Sequence, residues 1–365
     1  MTTKKEIIEW LRRDKVSLQP ISFRFMEGST PAIGNNSFDA LVEASWQGGN
    51  ARFIVKCKSL STPKAFQDGS NLLKSCELPR GYLPMLIMPF LRQEQLLNLE
   101  QEGISGMDLC GNGIVIVPGR FAVFRGGEKN RFSSSAPIKN IYRKNSSMVS
   151  RVFFARSVYK MVQDIQSEIN QRNLLVSHRE KKPMSLSTVS KALKTLEQDL
   201  IISRNDTIRL LQADKLLDKL SENYCPPKTT GMIRLKIPEE SGSIREMILK
   251  LSEELNLPLV ATGISSVGQY AVMQRGDLLS VYCPRLELFV EKLNGSRTDR
   301  FPNLEIIETG DGTIYFDTRQ TNNFRWSSPI QTYLELMVGD KRDQEIAGQV
   351  KSIILNGLIR HKEKN

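Results

Sequence analysis

The chain of 365 residues contains only two histidines and five cysteines. The cysteines, Cys57, Cys76, Cys110, Cys225 and Cys283, are widely scattered. None forms a C-x-x-C pair, and His178 and His361 cannot complete a Cys/His set, so a structural zinc cluster is excluded. An odd, dispersed set of thiols is expected of a reduced, cytoplasmic protein. No apolar run reaches the roughly 18–20 residues of a membrane span, so no membrane partner is expected. The opening residues, with Lys4, Lys5 and Glu6, lack the apolar centre of a secretory signal. Neither histidine has an evident Ser or Cys partner for nucleophilic catalysis. The glycine-rich run 103–113 lacks a Gly-Lys-Ser/Thr ending and any dinucleotide-binding spacing, and is expected to form tight turns beside a strand.

What remains is a globular composition, 40% hydrophobic and 25% charged, in a chain long enough for two or three domains. The net charge of +11 is unevenly spread. Residues 1–138 hold 17 basic and 13 acidic groups, 139–228 hold 17 and 9, and 229–365 hold 17 and 18. The excess therefore sits in the middle quarter, where it favours a polyanion through counterion release.

Residues 1–135 are expected to form an α/β domain. An amphipathic helix over 4–15 precedes strands at 37–45, 52–58, 83–88, 114–118 and 121–125, with helices near 64–75 and 92–102 between strands. A polar linker follows, and helices are predicted over 149–173 and 174–185 before Cys225-Pro226-Pro227 closes the block. In 229–365 the pattern predicts strands at 232–237, 257–262, 269–273 and 279–283. Helices are predicted at 243–255, 286–293, 329–338 and 342–358. The fold class expected is thus multidomain α/β and α+β.

The central block carries the strongest signal. Val189, Leu193, Leu196 and Leu200 recur at helical spacing, while Ser187, Thr188, Ser190, Lys191 and Lys194 occupy the opposite face. Small hydroxyls and free N–H groups at a helix start suit phosphates, and the lysines can neutralise a backbone or reach base edges. Residues 200–211 follow as a hairpin about an Asn-Asp turn flanked by Arg204 and Arg209. Helix and hairpin together read as the C-terminal half of a winged helix-turn-helix, over 145–226. The basic loop with Arg179, Lys181 and Lys182 is either a second phosphate contact or a solvated insertion.

This block, with Leu216-Leu217-Asp218-Lys219-Leu220 after it and 327–336 near the C-terminus, resembles AbiEi-like type IV antitoxins and transcriptional regulators. The resemblance implies a repressor of its own promoter, acting on double-stranded DNA, sometimes with a cognate toxin. Symmetric half-sites make a homodimer the default, and a defence-complex protein is the other partner expected. The domain over 229–365 is assigned to partner contact or dimerisation, with Trp326 in its core or interface.

The first domain resembles the PD-(D/E)xK nuclease superfamily through Phe38-Asp39-Ala40-Leu41-Val42-Glu43, the turn Gly48-Gly49, and Arg52-Phe53-Ile54-Val55-Lys56-Cys57-Lys58. In that superfamily an aspartate and a (D/E)-x-K on the next strand converge on Mg²⁺. Here Lys56 stands where an acid is expected, and a cation repels the metal. An active Mg²⁺-dependent DNA endonuclease would need Glu43 to substitute beside Asp39, with Lys58 as the catalytic lysine; Asp108 is a further candidate to face the same site. Otherwise Asp39 and Glu43 pair with Lys56 and Lys58 across the hairpin, no cofactor is needed, and the fold is a degenerate nuclease scaffold.

Overall fold

The computed structural model describes residues 3–13, 18–26, 37–132, 140–172, 183–238, 241–272, 278–293 and 295–363. It is mixed α/β, and the chain divides into two compact units, 1–139 and 140–365. The expected boundary near 226–229 therefore falls inside the second unit.

In the first unit, α1 (Lys4–Arg12) starts from a capping box in which Thr3 and Glu6 satisfy each other's backbone N–H groups. A seven-stranded sheet follows in chain order: β1 (Ser22–Met26), β2 (Ala40–Trp46), β3 (Gly49–Cys57), β4 (Tyr82–Met88), β5 (Ser105–Asp108), β6 (Gly113–Val117) and β7 (Phe121–Arg125). The strands β3, β4 and β5 are parallel, joined by α2 (Pro63–Ser75) and α3 (Gln93–Gln101); the remaining pairings are antiparallel. Alternation sends Val42, Phe53, Val55, Met85 and Val115 to one face against Ile7 and Leu11 of α1. Leu41, Ile54, Leu86 and Ile114 go to the other, against Leu96 and Leu99 of α3.

The glycine-rich run forms turns around a strand, four of its eleven residues making up the buried strand β5. A Cβ on Gly106 would lie 2.3 Å from Leu99, and one on Gly113 2.9 Å from the Gly106 carbonyl, so glycine here permits close packing. The turns at Gly103, with φ of 66°, and Gly111, with φ of 107°, need glycine's conformational freedom.

The second unit opens with α4 (Ser147–Arg151) and a single 3₁₀ turn over Val152–Phe154. The long helix expected over 149–173 is broken here: Val158–Tyr159 form a short strand, β8, and only Val162–Arg172 continue as α5. After α6 (Leu186–Gln198) come β9 (Ile202–Arg204), β10 (Ile208–Leu210) and α7 (Ala213–Glu222). The three strands form a sheet ordered β8-β10-β9. The helix predicted over 174–185 does not include 183–185, and 173–182 lie outside the described residues.

The rest of the unit holds β11 (Gly231–Lys236), α8 (Ser241–Glu254), β12 (Val260–Ala261), α9 (Gly263–Ser266) and β13 (Leu279–Cys283). Then follow α10 (Glu287–Val290), β14 (Ser296–Arg297), β15 (Leu304–Glu308), β16 (Arg319–Thr321), β17 (Phe324–Trp326), α11 (Pro329–Met337) and α12 (Lys341–Glu363). The seven strands are ordered β14-β11-β15-β13-β12-β17-β16. Residues 269–272 belong to a 3₁₀ turn and the bend after it rather than to the expected strand.

Helix α11 is buried along 330–336, including its polar side chains. Gln331 donates from Nε2 to Tyr224 Oη at 2.9 Å and to Glu335 Oε1 at 2.8 Å. Lys351 of α12 meets Asp214 and Asp218 of α7, each at 2.7 Å. These contacts join the end of the central block to the C-terminal helices α11 and α12 within one unit. No helix among the described residues is long and apolar enough to cross a membrane.

Candidate nucleic-acid interface

Helix α6 begins where Ser185 Oγ accepts from the Thr188 N–H at 3.2 Å, a serine N-cap. Val189, Ala192, Leu193 and Leu196 are buried beneath it. Leu200, expected as the fourth member of that stripe, lies beyond the helix with φ of 59°, and Ile201 is buried instead. The Ile201 N–H returns to the Leu196 carbonyl at 2.9 Å and closes the helix end.

The outer face holds Ser187, Lys191 and Lys194 exposed, with Ser190 and Thr188 half-buried. Thr188 Oγ1 lies 2.9 Å from Ser185 Oγ, so its hydroxyl serves the helix start. Lys191 and Lys194 make no ion pair with any described residue. The approach to α6 is anchored on α5, where Asn170 Oδ1 accepts from the Met184 N–H at 2.9 Å and Gln166 Nε2 donates to the Met184 carbonyl at 2.9 Å.

The hairpin β9–β10 pairs Ile208 with Arg204 and Arg209 with Ser203, while β8 pairs Tyr159 with Ile208 on the other edge. Ile208 and Leu210 face inward, which turns Arg209 outward and exposed; Arg204 is half-buried at the turn. Neither arginine has an ion pair among the described residues. The short sheet therefore presents an unpaired, outward guanidinium, and the helix before it presents two unpaired ammonium groups. Such a surface can neutralise a phosphate backbone and reach a groove. Arg179, Lys181 and Lys182 lie outside the described residues.

Sequence reasoning missed β8 and the residues behind α6. Tyr159 is fully buried, and its Oη donates to Glu168 Oε2 at 2.9 Å, with the Val152 carbonyl a second acceptor at 3.2 Å. Tyr142 Oη donates to Asp199 Oδ2 at 2.6 Å, at the residue that ends α6. Burial, reinforced by Asp199, pushes the Tyr142 hydroxyl well above its ordinary range. A tyrosine 57 residues from its partner at the end of the helix offers no periodicity or spacing by which to find it.

The residues expected around a Mg²⁺ ion do not fit one. Asp39 Oδ1 lies 3.1 Å from Lys4 Nζ, and Oδ2 accepts from the Cys57 N–H at 2.8 Å with Lys56 Nζ at 3.6 Å. Two cations thus hold the carboxylate that the metal would need. Lys56 is buried and also donates to the Ser37 carbonyl at 2.5 Å. Glu43 accepts from Asn50 Nδ2 at 3.2 Å and sits 3.8 Å from Arg52, so its cross-hairpin partner is Arg52 rather than a lysine. Lys58 packs its stem over Gly69 of α2, and burial lowers its ammonium below the usual range.

Asp108 does not serve such a site either. It is buried, and its Oδ1 accepts from the N–H groups of Cys110, Gly111 and Asn112, each at 2.8 Å. Its Oδ2 takes Leu91 N–H at 3.0 Å and Asn112 Nδ2 at 2.7 Å. The carboxylate organises the loop after β5. Among the described residues no group of three His, Cys, Asp or Glu side chains could hold a metal ion. All five cysteines are free thiols.

No family model matches the chain, and neither the curated proteins nor the solved structures contain a significant match.

Proposed function

We propose that this chain is a sequence-specific, DNA-binding transcriptional regulator, a repressor of antitoxin-like character, that reads double-stranded DNA with α6 and the hairpin β9–β10. The single observation that carries the reading is the unpaired cationic face of α6. Lys191 and Lys194 are both exposed and make no ion pair among the described residues, and Arg209 of the following hairpin is likewise exposed and unpaired. The order α4, β8, α5, α6, β9, β10 supports it, since a helix-turn-helix followed by a strand-paired wing needs that succession. In this reading α6 enters the major groove, and Ser187 and Ser190 approach the backbone closely. Arg204 and Arg209 contact phosphate or the minor groove.

The first unit is read as a nuclease-like scaffold that has exchanged its metal site for an ion-paired one. The arrangement of Asp39 between Lys4 and Lys56 supports binding or assembly rather than cleavage. A homodimer on a palindromic operator, with a cognate toxin or defence-complex protein as further partner, completes the proposal.

The test is a nuclease-protection footprint on the gene's own upstream DNA, with and without Mg²⁺, using the chain and its Lys191→Ala/Lys194→Ala variant. The expected result is a protected, uncut site that the variant loses. Metal-dependent cleavage abolished by Asp39→Ala would contradict the reading of the first unit. Protection retained by the double variant would contradict the reading of α6.

A further inference from the structure

The second unit contains a half-open cleft of about 640 Å³ that the DNA reading does not use. Tyr142, Arg143, Lys144, Arg151, Tyr224 and Lys228 line it, together with the turn 310–313. Its size is that of a small-molecule site. Four of these side chains are cationic, against the single carboxylate of Asp311. That carboxylate already accepts from the Thr313 N–H at 3.0 Å and the Thr313 hydroxyl at 2.8 Å.

Arg151 sets the chemistry. Its side chain is buried, and Nη1 donates to the Thr313 carbonyl at 3.1 Å and to Gln331 Oε1 at 2.9 Å. Both acceptors are neutral. Its Nε is sealed and has no hydrogen-bond partner, and Nη2, which no hydrogen bond to a described residue occupies, is the nitrogen left for a ligand in the cleft. A buried cation without an ion pair and with an unused N–H is costly unless an anion completes it.

The surrounding carboxylates do not supply that anion. Asp317 is engaged by Arg172, and Glu335 accepts from the Gly263 N–H, Gln331 and Tyr282. At the mouth, Lys144 and Lys228 are exposed and make no ion pair with a described residue. Lys144 holds a φ of 49°, a left-handed conformation that non-glycine residues keep chiefly where the surroundings enforce it.

We infer that this cleft binds a phosphate-bearing small molecule of nucleotide size, its anionic group completed by Arg151 and screened by Lys144 and Lys228. A guanidinium and flanking ammonium groups match phosphate oxygens, and the rings of Tyr142 and Tyr224 give the rest of the ligand a flat wall. The same Tyr142 donates to Asp199 at the end of α6. Occupation of the cleft therefore biases the DNA-reading helix, a consequence that rests on the proposed function, whereas binding itself does not.

The experiment is calorimetric titration of the full chain, without DNA, using inorganic pyrophosphate and ATP as probes. Saturable binding of at least one probe, one per chain, is expected. Lys144→Ala and Lys228→Ala should each weaken it roughly tenfold. Arg151→Lys should abolish it while circular dichroism shows a folded chain; if that variant does not fold, the two exposed lysines carry the test. Absence of saturable binding by both probes, or equal affinity in the lysine variants, would overturn the inference. So would a loss of DNA affinity in Lys144→Ala/Lys228→Ala as large as in Lys191→Ala/Lys194→Ala, which would make the cleft part of the DNA track. Ligand binding that survives a failed footprint would sink the DNA reading alone.

Discussion

Lys56 is the residue on which the character of the first unit turns. Its type, a cation where the nuclease pattern has an acid, is visible in the sequence, and so is its place opposite Asp39 across the hairpin. Burial is what gives that exchange energetic weight: Lys56 is 7% exposed, hydrogen-bonded to the Ser37 carbonyl and paired with Asp39. Lys56→Glu would set two carboxylates together with only Lys4, itself half-exposed, to offset them. A loss of about 3 kcal/mol of stability is expected in urea denaturation. A change below about 0.5 kcal/mol would show that the pair contributes nothing. Lys4 was not legible as the second partner, because a helix 35 residues upstream gives no register with a strand. Arg151 was equally hidden, since one arginine in a basic segment gives no sign that its side chain is buried.

At the scale of elements, α6 could be read ahead of the structure because its stripe and its polar face both follow the 3.6-residue period. Its end was misplaced by two residues, since Leu200 continues the apolar spacing past the point where the backbone turns left-handed. Strand β8 escaped because two residues are too few to show alternation, and Val158 and Tyr159 fit a helical face as well as a strand. Its existence depends on β10, fifty residues later. In the same way β15 lies between β11 and β13 in the C-terminal sheet, and its Leu-Glu-Ile-Ile-Glu run carries no strict alternation.

Two variants test the account of α6. Leu193→Ala removes a fully buried side chain and should cost about 2–5 kcal/mol, while Ser185→Ala removes the N-cap and should cost about 1 kcal/mol. Thermal denaturation of the full chain would measure both. An N-cap loss that equals or exceeds the core loss would contradict the packing described.

Across the whole molecule, the charge asymmetry was legible and the unit boundaries only in part. The Cys225-Pro226-Pro227 stop ends a helix, as expected, yet chain packing continues across it through Gln331, Tyr224 and Lys351. Those contacts join residues over a hundred positions apart, beyond the reach of local composition.

Tyr142, Tyr159, Tyr224, Tyr282 and Tyr315 all have hydroxyls pushed above the ordinary tyrosine range, with burial the largest cause in each. An unfolded chain releases these protons near pH 10, whereas the folded chain retains them, so the native state is destabilised as pH rises past about 10. The urea midpoint should hold to about pH 9 and fall above 10, and Tyr282→Phe should reduce the fall. A midpoint independent of pH to 11 would contradict the burial of these hydroxyls.

The central claim concerns Lys191 and Lys194 as phosphate-neutralising groups on DNA, and the salt dependence of binding addresses it most directly. Fluorescence anisotropy of the full chain on the protected upstream duplex, across a salt series, gives the slope of log affinity against log salt. The Lys191→Ala/Lys194→Ala variant should bind more weakly at every salt, with a slope shallower by about 1.8, as two fewer phosphate contacts require. An unchanged slope and affinity would place the DNA contact elsewhere on the molecule and contradict the account.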